Sequence, residues 1–142
     1  MISALLAFAF AAAFTGAAVY VNIAEHPARL TLDDRSLLAQ WKPSYQGGAA
    51  MQGSLALAAS ALGVWAWWQI GHIGWLIGAG LIFANWPYTL LVIMPINNRL
   101  KATEVNNAGP ETRALLQQWG RLHAGRSALG FAATLAYFWA LV

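Results

Sequence analysis

The chain has 142 residues, of which 59% are hydrophobic and only 9% are charged. Soluble domains carry roughly 25% charged residues, so a chain with so few charges could not cover a soluble fold with polar surface. The absence of cysteine excludes disulfides and thiolate chemistry. These properties indicate a membrane protein.

Segments without any Asp, Glu, Lys or Arg mark the expected membrane spans. Residues 1–24 hold one span, residues 43–98 hold two with a turn in QIGHIG (69–74), and residues 127–142 hold most of a fourth. A spanning helix needs about 20 apolar residues, and lipid offers no partner to free backbone groups, so the spans must be helical. The sequence therefore predicts an all-α integral membrane four-helix bundle that forms a single domain. The predicted spans are residues 3–25, 46–69, 73–96 and 118–141.

The charged residues predict the orientation of the bundle. They all fall in the first connection, the third connection or the start of the fourth span, so all eight Lys and Arg lie on one face of the membrane. The positive-inside rule predicts that this face is cytoplasmic, with both termini outside and a bacterial cytoplasmic membrane as the location. The net charge of +3 follows from this topology, so the lipid bilayer and not nucleic acid is the expected partner. An aromatic belt at the opposite interface is predicted from Trp65, Trp67, Trp68, Trp75 and Trp139.

One phrase occurs twice in the chain. Residues 37–48 read LLAQWKPSYQGG, and residues 115–126 read LLQQWGRLHAGR. The spans that precede them end in PARL and PINNRL, each a proline followed by Arg-Leu. The repetition predicts two helix hairpins related by a pseudo-twofold axis along the membrane normal. Tyr45 and His123 then occupy equivalent positions, and Trp41 is expected at the cytoplasmic interface.

Helical spacing brings polar side chains from every span to one depth near the cytoplasmic face. Residues at i, i+4 and i+7 share a helix face, which groups Trp119, His123 and Arg126 on the fourth span, and Tyr45 with Gln52 on the second. Polar groups contributed by the first and third spans are Asn22, Glu25, Arg29, Asn97 and Asn98.

Arg126 lies inside its span, where an ionisable group is costly and is expected to face the bundle interior. Its expected partner is Glu25. One interpretation is a structural ion pair that fixes the register of two helices. The other is a cavity in which His123 and Tyr45 handle protons and Arg126 holds an anionic oxygen. No metal site is predicted, since no two ligands share one helix face, and His26 with Glu25 and His123 is the alternative for a metal.

Two further residues bear on packing. Pro27 is expected to end or bend the first helix, because the residue before a proline avoids the α region. Asn85, near the centre of the third span, is expected to hydrogen-bond across helices.

The segments YVNIAEHPARL, WKPSYQGG, MPINNRL and WGRLHAGRSALG resemble the anthrone oxygenase-like family, small four-helix membrane proteins that mostly lack an assigned function. The resemblance covers nearly the whole chain and keeps the family's order. Fungal members are implicated in oxidising anthrones to anthraquinones with dioxygen, without a cofactor. The positions to which the resemblance extends are Asn22, Glu25, Pro27, Arg29, Tyr45, Asn97, Asn98, Trp119, His123 and Arg126.

Two functions are compatible with these observations. In the first, His123 or Tyr45 removes an acidic C–H proton from a planar phenolic substrate, Arg126 stabilises the enolate, Glu25 completes the catalytic set, and dioxygen attacks the carbanion. This enzyme needs no cofactor, with haem or a metal as the alternative. In the second, a non-enzymatic membrane protein binds a lipid, quinone or haem, or forms a homo-oligomer. The residues expected to contact a small hydrophobic substrate are Asn22, Arg29, Gln52, Asn97, Asn98 and Trp119.

Overall fold

A computed structural model describes all 142 residues as four long helices joined by short connections. A 3₁₀ turn at Val105–Asn107 precedes the last helix, and the chain contains no strand. Each helix packs mainly on its two neighbours around the bundle, so the predicted all-α four-helix bundle is confirmed. The helices are α1 (Ile2–Leu30), α2 (Asp34–Ile70), α3 (Gly74–Ala102) and α4 (Pro110–Leu141).

Three of the helices are long and apolar enough to cross a membrane, namely α1, α2 and α3. The fourth, which carries Arg121 and Arg126, is not among them. Both termini and the α2–α3 turn lie at one end of the bundle, here called the terminal end. The α1–α2 and α3–α4 connections lie at the other, here called the charged end. The predicted turn in residues 69–74 is confirmed, because Gly71 ends α2 with a φ of 81°, a left-handed conformation that glycine adopts without strain.

At the charged end the helices are longer than the predicted spans. α2 begins at Asp34, because Asp33 caps it by accepting hydrogen bonds from the backbone N–H groups of Arg35 and Ser36. The Ser36 backbone and hydroxyl, which donate to this carboxylate, hold the pKa of Asp33 below its ordinary value. The repeated phrase at residues 37–48 is therefore helical throughout.

Pro27 of α1 and Pro95 of α3 each follow a π-helical turn. Val21–Glu25 precede Pro27, and Thr89–Ile93 precede Pro95. Proline has no N–H to donate to the carbonyl four residues earlier, and the wider π turn shifts the hydrogen bonds past the gap. Of the two effects expected of Pro27, an end or a bend of the helix, the first does not occur, since α1 continues to Leu30.

Two apolar clusters fill the bundle, one at each end. The cluster at the terminal end contains a face of small residues on α1 together with Trp75 and Tyr137. The cluster at the charged end is built from leucine, isoleucine and the buried rings of Trp41 and Trp119. Between the two clusters lies a band of polar side chains, and this band holds the candidate site.

Tyr137 shows how closely the helices pack at the terminal end. Its ring lies so near Gly63 of α2 and Gly78 of α3 that a Cβ at either glycine would overlap it. The Tyr137 hydroxyl donates to the Ala59 carbonyl at 2.8 Å. Small residues permit this close helix approach in membrane bundles.

The aromatic belt differs from the prediction at one position. Trp65, Trp67, Trp68 and Trp139 are exposed at the terminal end, as an interfacial belt requires. Trp75 is instead fully buried, with its ring centroid 5.3 Å from that of Tyr137. Trp75 is the second residue of α3, and its side chain points into the bundle, where it belongs to the apolar cluster at the terminal end.

Candidate functional site

The polar band contains a small cavity of about 50 Å³, here called the polar cavity. Glu25, Tyr45, His123 and Arg126, the residues predicted to be catalytic, all line it. Gln52, Asn97 and Trp119 from the predicted substrate-binding set line it as well. The helical stripes on α1, α2 and α4 thus converge in space, as their spacing predicts, although the chemistry assigned to them stays a prediction.

Three predicted substrate-binding residues lie outside the polar cavity. Asn22 hydrogen-bonds to His123, and Arg29 forms an ion pair with Glu25, so each contacts a residue that lines the cavity but does not line it itself. Asn98 is exposed on the surface of α3. Successive helix positions face different directions, so with Asn97 fully buried, Asn98 must point away. Asn98 therefore does not line the polar cavity.

His123 is held in one orientation by Asn22. The Asn22 side-chain Nδ2 donates to the Gly120 carbonyl at 2.9 Å, and a carbonyl can only accept, so the amide orientation is fixed. Asn22 Oδ1 then faces His123 Nδ1 at 2.9 Å and must accept from it. Ser127 Oγ donates to the same oxygen at 2.7 Å. His123 therefore carries its proton on Nδ1, which leaves the Nε2 lone pair without a protein partner.

Arg126 is buried without a counter-ion. The residue is only 8% exposed, it forms no salt bridge, and its Nε has no hydrogen-bond partner. The guanidinium carbon lies 5.6 Å from the centroid of the Phe14 ring, a cation–π contact that offsets part of the desolvation. An unpaired buried cation is costly in a membrane protein and favours the approach of an anion.

The predicted ion pair between Glu25 and Arg126 is absent. Glu25 instead pairs with Arg29 at 3.0 Å, one turn along the same helix. Gln40 Nε2 at 3.2 Å and the Ser44 hydroxyl also donate to the Glu25 carboxylate. The i, i+4 spacing of Glu25 and Arg29 is the usual geometry of a helical ion pair. Because Arg29 on the same helix already pairs with the Glu25 carboxylate, Arg126 of α4 is left without it.

Arg29 organises the polar groups at the charged side of the site. It is 3% exposed, and its Nη1 lies 3.2 Å from His26 Nδ1 while its Nε donates to Gln40. Its guanidinium carbon also lies 5.7 Å from the centroid of Trp119. Gln40 and Ser44 were not identified from the sequence, because the helix was expected to begin only at residue 46. An α2 helix extended toward the charged end would have brought both into register with Glu25.

The tryptophans of the repeated phrase meet inside the bundle. The ring centroids of Trp41 and Trp119 lie 6.1 Å apart at an interplanar angle of 86°, and both side chains are buried. Trp41 stacks on Tyr45 at 4.8 Å, and Trp119 lies 4.9 Å from His123. The prediction that Trp41 docks at the membrane interface was wrong, because the extended helices enclose its ring, whereas Trp119 faces the interior as its helical stripe predicts.

Asn97 determines the direction of the hydrogen bond to Tyr45. Trp119 Nε1, which can only donate, gives its proton to Asn97 Oδ1 at 2.9 Å. Asn97 Nδ2 must then donate to the Tyr45 hydroxyl oxygen, 3.2 Å away. The hydroxyl proton of Tyr45 has no protein acceptor and is available to a molecule in the polar cavity.

Asn85 does not form the expected bond across helices. Its Nδ2 donates to the Ile82 carbonyl of its own helix at 3.2 Å, and its buried Oδ1 has no partner. No group of three or more His, Asp or Glu side chains is arranged to hold a metal ion.

Comparison with known proteins identifies one match. A family model described as anthrone oxygenase matches residues 41–136. The matched region contains Tyr45, His123 and Arg126, while Asn22 and Glu25 lie before it. Neither the curated proteins nor the solved structures contain a significant match to the chain.

Proposed function

The chain belongs to the anthrone oxygenase family, and we propose that it is a membrane enzyme that oxidises a hydrophobic phenolic substrate with dioxygen beside the polar cavity. The observation that carries the proposal is that two groups line the same cavity: His123 Nε2, which is unprotonated, and Arg126, which has no counter-ion. The first group can take a proton, and the second can stabilise the negative charge that the proton leaves behind.

His123 is the proposed general base. A base must present a free lone pair within hydrogen-bond reach of the proton that it removes. The Asn22 contact leaves that lone pair on Nε2, and His123 lines the polar cavity, beside which the reacting carbon would lie. Asn22 is a positioning residue, because it acts through the imidazole and does not reach the cavity.

Arg126 is the proposed oxyanion group. In an anthrone the methylene is conjugated with the ketone through the flanking aromatic rings, so removing its proton produces an enolate whose charge collects on the carbonyl oxygen. A guanidinium without a protein counter-ion is free to bind that oxygen, and preorganised charge of this kind gives the largest catalytic effect in a dry site. Pairing Arg126 with a protein carboxylate would have weakened this effect.

Tyr45 is the proposed hydrogen-bond donor and not the base. Since its oxygen accepts from Asn97, its proton points to another partner. It can donate to a substrate oxygen or to a peroxide oxygen while His123 removes the carbon proton. Of the two bases considered from the sequence, the hydrogen-bond directions therefore favour His123.

The reaction balances without a cofactor. His123 takes one proton from the methylene carbon, and the carbanion adds dioxygen and recovers a proton to give a hydroperoxide. Loss of water from the hydroperoxide then gives the ketone, so one CH₂ group and one O₂ become one C=O group and one H₂O. The substrate supplies all the electrons that reduce dioxygen.

We also propose that the charged end faces the cytoplasm and that the bundle arose by duplication of a helix hairpin. Trp41 and Trp119 meet in the bundle, and Tyr137 donates to the Ala59 carbonyl at the same sequence separation of 78 residues. The similar π turns before Pro27 and Pro95 support the same idea. In an experimental structure, residues 2–70 should superpose on residues 74–141 by a rotation near 180° about the membrane normal, and a different operation would contradict the duplication.

Turnover of an anthrone in aerated detergent micelles tests the proposed activity. His123→Ala and Arg126→Ala should each lower the rate by about 100-fold or more. His72→Ala, at the terminal end, is the matched control and should keep the wild-type rate. Equal rates in all four proteins would overturn the proposal. A wild-type protein without turnover that carries a Soret band or a co-purified lipid or quinone would support the non-enzymatic alternative.

A further inference from the structure

A second cavity of about 130 Å³, here called the lateral cleft, lies between α2 and α3. Gly53 and Ala56 of α2 form one side, and Asn85 and Thr89 of α3 form the other. Leu90, also in the lining, is 53% exposed on the outside of the bundle. Because these residues lie in the middle of apolar helices, the cleft opens sideways toward the bilayer and not toward water.

The lateral cleft adjoins the polar cavity. Tyr45, Ala49 and Arg126 line both of them, so these three side chains form the shared wall. A molecule in the lateral cleft would thus lie against the proposed oxyanion group. It would also lie next to the cavity that His123 lines.

Two residues that line the lateral cleft have buried polar atoms without a partner, at a depth where lipid offers none. Asn85 is only 2% exposed, and its Oδ1 lacks any hydrogen-bond partner. Thr89 Oγ1 is likewise buried and unpartnered. A buried acceptor left unpaired costs about 1–3 kcal/mol, and a ligand hydroxyl that donates to Asn85 Oδ1 would recover that cost. Arg126, in the same lining, adds a donor.

The two cavities differ in volume, and they can therefore hold molecules of different size. An engineered apolar cavity of about 150 Å³ in another protein binds benzene. By that scale, the lateral cleft accepts one aromatic ring, with the rest of a larger molecule lying in the mouth beside Leu90. The polar cavity, at about 50 Å³, is too small for a ring but has room for water or dioxygen.

We propose that the lateral cleft is a binding site for the hydroxylated ring of a membrane-dissolved phenol, which enters from the bilayer and donates its hydroxyl proton to Asn85 Oδ1. The small side chains of Ala49, Gly53 and Ala56 give the ring a flat wall. This inference rests on the proposed function and adds to it the place where the substrate ring lies. Binding at this site can be measured without turnover.

Binding of 4-hexylphenol and of 4-hexylanisole, its methyl ether, to the purified full-length protein in micelles tests the site. The phenol should bind about 5-fold to 150-fold more tightly than the ether, because only the phenol can donate to Asn85. In Asn85→Leu the two affinities should become equal. Equal affinities in the wild type, or an unchanged preference in Asn85→Leu, would overturn the proposal.

Two further variants keep the test independent of folding and of catalysis. Gly53→Phe should fill the cleft and abolish binding of both compounds, whereas Gly80→Phe, at an exposed position of α3, should leave both affinities unchanged. Undiminished binding in Gly53→Phe would place the phenol elsewhere. His123→Ala should keep the phenol preference while losing turnover, so a failure of the proposed chemistry would be distinguishable from a failure of the site.

Discussion

His123 Nδ1 lies 2.9 Å from Asn22 Oδ1, and the Asn22 amide is itself oriented by the Gly120 carbonyl. These two hydrogen bonds allow Asn22 of α1 to fix His123 of α4 in a single tautomer. The same contact ties the two helices together at the depth of the polar cavity. Its chemical consequence is an imidazole whose free lone pair is on the ring nitrogen that Asn22 does not reach.

Replacing Asn22 tests whether the tautomer matters. Asn22→Leu should lower kcat about 5-fold to 150-fold, the cost of one lost buried hydrogen bond, with a smaller change in KM. Ser127→Ala, which removes only the second donor to Asn22 Oδ1, is the matched control and should stay within a few-fold of the wild type. Nitrogen NMR of labelled His123 should report a protonated Nδ1 in the wild type, and a protonated Nε2 there would refute the assignment.

Arg126→Met separates a catalytic arginine from a structural one. If the unpaired guanidinium is present for chemistry, removing it should raise the free energy of unfolding by about 1–3 kcal/mol while the rate falls about 100-fold to 1000-fold. Replacing a buried charge by an apolar side chain of similar length relieves its desolvation. A methionine variant that is less stable than the wild type, measured by unfolding in detergent, would favour the structural role.

Gly78→Ala should destabilise the bundle by about 1–3 kcal/mol, because the added methyl group overlaps the Tyr137 ring. Gly80→Ala is the matched control on the same helix, since nothing lies within 4 Å of its added Cβ. It should be neutral or slightly stabilising, as alanine favours the helix more than glycine does. Thermal unfolding of both variants in the same micelles measures the difference, and equal midpoints would contradict the packing described at Tyr137.

The proposed orientation can be tested with single cysteines, because the natural chain has none. Asn106→Cys lies in the α3–α4 connection at the charged end, and Ile73→Cys lies in the turn at the terminal end; both positions are exposed. In intact cells, a membrane-impermeant maleimide should label Ile73→Cys and not Asn106→Cys. Labelling of both cysteines after the cells are broken is the control, and the reverse pattern in intact cells would invert the topology.

Much of the fold could be predicted from local properties of the sequence. Long segments without charge predict the helices, and the spacing of Trp119, His123 and Arg126 predicts that these residues share one helix face. Both predictions succeed because each depends only on positions within a single helix. All three side chains are indeed buried. The turn at Gly71 is equally local, since few residues other than glycine adopt its φ.

The partners of the polar groups could not be predicted in the same way. The sequence predicts a pair between Glu25 and Arg126 because both are ionisable and at similar depth. In the structure the nearer Arg29, Gln40 and Ser44 satisfy the Glu25 carboxylate. The π turn before Pro27 keeps α1 helical through Arg29, and a proline alone does not reveal it. The unpaired state of Arg126 depends on packing between helices, which no single segment encodes.

The central claim is that His123 removes a carbon-bound proton from the substrate, and proton exchange without oxygen tests it most directly. An anthrone incubated with the protein in deuterated buffer under argon should exchange its methylene protons faster than in empty micelles. Methylene exchange is followed by proton NMR. His123→Ala should reduce the exchange to the background rate, while His72→Ala should not. Exchange that is as fast with His123→Ala as with the wild type would contradict the account.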